Sequence, residues 1–347
     1  PPCICFGPFY ADFAKNFPGI NRLYRHMDVI TEQSGVFMRR NLTGIGILIC
    51  FACMLLFPQD VFTGASNGLI LWFYTIFPTL FPFLIVTNVL MKTDGIHLIA
   101  RIFGPVLAKI FRVSQNGSFA IITGFLCGYP MGAKISADLV STRKITPQEG
   151  AYLLSFCNNT SPVFILNFVV WKTLKKNELM FPTLLILIAA PVLISLFTRT
   201  IYLKKQEIFS YFTDNRQNNS LHFFGILDHC MMDSFETIAK VGGYMILFSV
   251  LIELVGNIAF CFPAIRILLP FLEVTNGIQL IGASALSFPV KYAWILFLTA
   301  FGGLCAAAQT QCMIQKAGLS IFPYITQKLA TALVTSLLGI LYLLCFS

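Results

Sequence analysis

Apolar runs of about twenty residues, separated by short polar stretches, recur along the whole chain. A helix of that length spans the hydrocarbon core of a bilayer. The runs fall at 42–57, 68–91, 150–171, 181–203, 236–262, 289–312 and 325–346. The stretches 96–112, 118–133 and 277–288 are shorter, amphipathic or broken, and fit interfacial or re-entrant segments at least as well as crossings. The pattern predicts an all-α polytopic membrane protein with seven to ten membrane segments.

Polar residues interrupt this pattern in two places. The first is Gly124-Phe125-Leu126-Cys127-Gly128-Tyr129-Pro130-Met131-Gly132-Ala133-Lys134, and the second is Asn158-Asn159-Thr160-Ser161-Pro162. Backbone released from helical hydrogen bonding at membrane depth must be satisfied by packed protein or by a water-filled cavity. Broken helices of this kind line solute sites in many transporters. A break at Gly128-Tyr129-Pro130 opens a new half-helix through Gly132, whose positive N-terminal end favours anions, with Lys134 in its first turn. Asn158, Asn159, Thr160 and Ser161 cannot all be satisfied by their own helix, and Pro162 removes a donor. They are expected to form a second broken helix whose tip faces the first. Helix packing on the glycines, a snorkelling Lys134 and a simple polar cap are the structural alternatives. Gln309, in the small-residue run Gly302 to Cys312, is the last candidate for solute contact.

Composition agrees. Of 347 residues, 56% are hydrophobic and 11% charged, with a mean hydropathy of +0.77, whereas a soluble domain carries about 25% charged residues. The formal charge of +9 is spread among loops, so no nucleic-acid footprint is expected. It matches the loop bias of membrane topology, with Arg39 and Arg40 on the cytoplasmic side. Lys172, Lys175 and Lys176 conflict with that scheme, because the crossings place them outside. Most of the eleven cysteines lie in apolar runs, and no disulfide framework is inferred. No phosphate-binding loop, H-E-x-x-H or G-x-S-x-G occurs, so neither an enzyme nor a cofactor is expected. Asp228, His229, Cys230 and Asp233 read as a solvated helix face more readily than as metal ligands.

The chain divides into an N-terminal extension (1–41), a first membrane half (42–203), a polar connector with an interfacial helix (204–234) and a second membrane half (235–347). Residues before Met38 are expected to be an upstream addition, with Met38 as the natural start. Two echoes link the halves. Val113-Ser114-Gln115-Asn116-Gly117 pairs with Val274-Thr275-Asn276-Gly277, and Gly124 to Cys127 pairs with Gly302 to Cys305. Opposite charge bias around the first pair is what inverted repeats produce.

Phe77-Pro78-Thr79-Leu80-Phe81-Pro82-Phe83, the string Gly128 to Lys134, Ser155 to Pro162 and Phe301 to Gln309 resemble the sporulation integral membrane protein YlbJ (SpoVV) family. That family is similar to the nucleoside-recognition gate domains of concentrative nucleoside transporters and of the FeoB membrane region. The resemblance implies a gate-type inverted repeat in the outer forespore membrane that moves dipicolinate, a flat aromatic dianion. The partners it implies are that anion and the lipid bilayer, with self-association left open. A transporter of nucleosides or another small solute, and a scaffold for spore assembly without transport, are the rival readings.

Overall fold

The computed structural model describes residues 44–203 except 94, and 223–346 except 262–264 and 266. The expectations for 1–41 and 204–222 lie outside the described residues. Two compact units divide at Pro58. In the first, the described element is α1 (Gly44–Leu56), apolar but shorter than a crossing. The rest of this description concerns the second unit. Among its described residues every regular element is helical, and six helices are long and apolar enough to cross a membrane.

The first of these is α2 (Pro58–Lys92), which widens into a π-turn at Trp72–Ile76. Pro78 offers no N–H to the carbonyl one turn earlier, and the wide turn sits where the ladder is interrupted. The helices α3 (Gly95–Phe111), α4 (Gln115–Cys127) and α5 (Met131–Ser141) follow. Ser114 caps α4 by accepting from the Gly117 N–H. The start of α4 lies against the end of α5: Asn116 Nδ2 donates to the Lys144 carbonyl (3.2 Å). The Ser114 N–H donates to Glu149 Oε1 (2.7 Å). Residues 118–133 therefore dip in and return, as their broken pattern predicts. Lys144 Nζ donates to the Met91 carbonyl (3.4 Å), so α3 also begins and ends at the Lys92 end of the bundle.

From that end α6 (Pro147–Cys157) runs inward, breaks at 158–161 and continues as α7 (162–174), mostly in π geometry. The helix α8 (Met180–Tyr202) returns antiparallel to α6. Ser155 Oγ and Thr198 Oγ1 are hydrogen-bonded at 3.0 Å, and Arg199 reaches the Ile110 carbonyl at the Lys92 end (3.2 Å).

The second half repeats this succession in the opposite direction. α9 (Phe223–Cys261) leaves the Lys92 end antiparallel to α2. The two helices are joined by Asn88–Ser234 (2.9 Å), the Lys92–Asp233 ion pair (2.9 Å) and Trp72 Nε1 donating to the Ile238 carbonyl (3.0 Å). The interfacial helix expected within 204–234 is thus, from Phe223 on, the first part of one long helix. The Asp233 carboxylate pairs with Lys92 and with His229 Nδ1 at 3.5 Å, and among the described residues no group of metal-ligating side chains forms.

Next, α10 (Leu269–Leu272) and α11 (Val274–Ala283) form a short re-entrant pair that turns at Glu273. It emerges at the far end, where Gly282 faces the Thr173 methyl. There Lys176 lies 3.9 Å from the centre of the Phe288 ring, at the start of α12 (Phe288–Phe301). After a break at Gly302, α13 (Gly303–Ile314) continues to the Lys92 end, and α14 (Ile321–Phe346) returns along α12 with Gly339 against Leu296 and Tyr292. Hairpin, broken helix and return helix therefore occur twice with inverted direction.

The sequence echoes do not mark the equivalent positions. Gly124 lies within α4, whereas Gly302 is itself a break; the counterpart of Gly302 is the break at 158–161. Likewise the second Val-x-Asn-Gly echo begins at the inner turn, while the first begins at the Lys92 end.

Candidate functional site

The four discontinuities of the two halves meet at one cavity of about 110 Å³ of water-accessible space. The α4–α5 tip supplies Gly128 and Tyr129, and the α6–α7 break supplies Thr160 and Ser161. The α10–α11 turn supplies Glu273 and Thr275, and the α12–α13 break supplies Gly302, Cys305 and Gln309. The π-turn of α2 closes one side with Thr75 and Thr79, while Phe164 and Phe168 of α7 add aromatic wall.

Each break has a local cause. Gly128 holds φ +86° and Gly302 φ +85°, conformations that L side chains rarely adopt. At the second break Pro162 opens α7, and Ser161 Oγ caps it by accepting from the Phe164 N–H (3.3 Å). Glu273 caps α11, accepting from the N–H groups of Thr275 (3.0 Å) and Asn276 (2.9 Å) and from Asn276 Nδ2 (3.0 Å). The N-termini of α5, α7, α11 and α13 thus lie around the cavity. That of α13 alone has a glycine before it and no side-chain cap, whereas α5 receives Asn158 Oδ1 at the Ala133 N–H (3.3 Å).

The residues expected from the sequence divide into two groups. Gly128, Tyr129, Thr160, Ser161 and Gln309 line the cavity. Pro130, Gly132, Lys134, Asn158 and Asn159 stand behind it. Lys134 does not turn inward: it pairs with Asp138 (2.7 Å) and donates to Asn88 Oδ1 (3.1 Å), tying α5 to α2. One turn of helix separates Lys134 from Asp138, and that carboxylate captures the ammonium. Gly132 gives room for the Cys157 carbonyl at the end of α6. Asn158 links three helices, its amide donating to Thr310 Oγ1 (2.9 Å) and Tyr324 OH (2.9 Å). Asn159 donates to the Phe156 carbonyl (2.5 Å) and accepts from Lys328 Nζ (2.9 Å).

Glu273 and Lys328 were missed, although lone ionisable residues in an apolar stretch mark functional positions. Glu273 was hidden by reading Val274 to Gly277 as an echo, and Lys328 by the uniform run that surrounds it. Thr75 and Thr79 needed the π-turn, which hydropathy does not report.

Opposed halves with broken helices around a central cavity define an all-helical, polytopic membrane protein. Residues 73–177, from the π-turn of α2 to just beyond α7, match the Gate family, described as nucleoside recognition. Over 319 residues the chain is 25% identical to the sporulation integral membrane protein YlbJ of Bacillus subtilis strain 168. That alignment covers 81% of this chain and 77% of the relative. The resemblance drawn from the motifs is borne out by both comparisons. No solved structure matches significantly.

Proposed function

We propose that this protein carries a small, flat, polar solute across a membrane during endospore formation, and that dipicolinate at the outer forespore membrane is that solute. The observation that carries the reading is the meeting of four helix discontinuities, two from each inverted half, at one cavity. Such a meeting point is where inverted halves rock against each other in alternating access. The uncapped N-terminus of α13 and the rings of Tyr129, Phe164 and Phe168 suit a planar aromatic carboxylate. The anion reading no longer draws on Lys134. The similarity to a sporulation protein supplies the biological setting.

Glu273 favours a second reading. Its carboxylate in the cavity wall suits hydroxyl and amino donors, and a neutral nucleoside presents both. Deleting the gene in an endospore former and measuring spore dipicolinate tests the first reading. Spores poor in dipicolinate, made by mother cells that still synthesise it, are expected. Normal spore content would overturn it, and uridine uptake by proteoliposomes that exclude dipicolinate would establish the second.

A further inference from the structure

Among the described residues only two charged side chains are fully buried, Glu273 at 3% exposure and Lys328 at 2%. Glu273 lines the cavity, and Lys328 is hydrogen-bonded to Asn159, which precedes two residues that line it. Glu273 lies in its wall and is held by the N-terminus of α11. Lys328, in the first half of α14, is not part of that wall, and its ammonium has one hydrogen-bond acceptor, Asn159 Oδ1 at 2.9 Å. No carboxylate pairs with it among the described residues, and the other titratable group facing it is the Cys157 thiol. Asn159 is followed directly by Thr160 and Ser161, which line the cavity.

A buried ammonium with one neutral acceptor is incompletely compensated. A Glu273 carboxylate without a nearby cation would repel anions from the cavity it faces. The cavity thus has a carboxylate in its wall and an ammonium that reaches it through Asn159. Resting on the transport reading above, we propose that Lys328 is the specificity-determining residue for charge. Acting through Asn159 and the 158–161 break, it holds the cavity at a potential that admits a carboxylate-bearing solute. Lys328 is a positioning residue here: Thr160 and Ser161 meet the solute, and the ammonium behind them sets the sign of what they accept. Lys134, already neutralised by Asp138, takes no part.

The test compares wild type, Lys328→Met and Lys328→Arg in proteoliposomes supplied with equal concentrations of dipicolinate and neutral uridine. Lys328→Met is expected to lower dipicolinate uptake relative to uridine uptake about tenfold or more, the scale of one unit charge acting from roughly 12 Å through an effective dielectric of about 20. Lys328→Arg restores most of the ratio. A purely structural lysine would lower both uptakes in proportion and leave the ratio unchanged, which would overturn the proposal while leaving transport itself intact. Wild-type protein that moves neither solute would remove the transport reading and this inference with it. Binding to purified, monodisperse protein gives a second measure. Dipicolinate should raise the melting temperature of wild type and Lys328→Arg more than pyridine does, and this difference should vanish in Lys328→Met. Equal shifts in all three proteins would count against the assignment.

Discussion

At Gly128 the backbone reaches φ +86°, and a Cβ added there would come within 2.8 Å of the Ser161 nitrogen. Left-handed backbone costs an L residue roughly 1–2 kcal/mol, and here the clash is with backbone that cannot rotate away. Gly128→Ala is expected to lose about 2–3 kcal/mol or to displace the second break. A lower melting temperature in detergent, together with weakened solute binding, would show this. Asn158 carries a different load. Its side chain satisfies the Ala133 N–H, Thr310 and Tyr324, and removing it strands buried polar groups at about 1–3 kcal/mol each. Asn158→Ala should therefore destabilise the protein more than Thr160→Ala, whose hydroxyl donates to the Thr299 carbonyl at 2.7 Å and pairs with the Tyr129 hydroxyl. Ranking the two by thermal melting checks this; equal losses would refute the bracing role. At this scale the sequence was legible wherever a residue type was improbable in lipid. Gly128, Thr160, Ser161 and Gln309 stood out and line the cavity. The direction of a side chain was not legible, since nothing in the string Gly132-Ala133-Lys134 shows that Asp138 draws the ammonium away.

The α2–α9 pair shows how elements are placed. Gly64 and Gly68 lie one turn apart on α2, and a Cβ on either would come within 2.8 Å of a Cα on α9, Val250 for the first and Ile246 for the second. Gly242 of α9 in turn receives the Trp72 ring at the start of the π-turn. Small residues permit this approach because helices in lipid associate through packing rather than through exclusion of water. Gly68→Val is expected to push the helices apart at a cost of about 1–3 kcal/mol. Since Thr75 and Thr79 ride on the same helix, solute binding should weaken with it. A melting curve and a binding isotherm on the purified variant test both effects. Unchanged values would mean that α9 does not set the position of the π-turn. The helices themselves were legible because a twenty-residue apolar run has few other outcomes. The long α9 was not, because polar residues at its start lowered the apolar signal while hydrogen bonding continued unbroken.

Across the whole molecule, direction of travel reconciles the basic residues. Two re-entrant segments do not cross, so the bundle places Lys92, Arg112, Arg143, Lys144 and Arg199 at one end and Lys172, Lys175 and Lys176 at the other. The larger basic group belongs in the cytoplasm. Lysines at the far end are anchored locally: Lys172 and Lys176 lie over the rings of Phe168 and Phe288 at 5.1 and 3.9 Å, and Lys291, also at that end, donates to the Gly282 carbonyl at 3.2 Å. The conflict of Lys172, Lys175 and Lys176 with simple charge counting thus comes from counting net charge over a loop that has its own aromatic contacts. A topology follows that reporter fusions can read. A fluorescent protein, which matures only in the cytoplasm, should fluoresce when inserted after Arg112 or after Arg143. Alkaline phosphatase, active only outside, should be active when inserted after Lys176 or fused after Phe346. Arg112 and Arg143 reporting opposite sides would mean that 114–141 crosses the membrane once. The α4–α5 tip could then no longer meet the α10–α11 turn from the opposite face, and the two-sided cavity on which solute exchange depends would be lost.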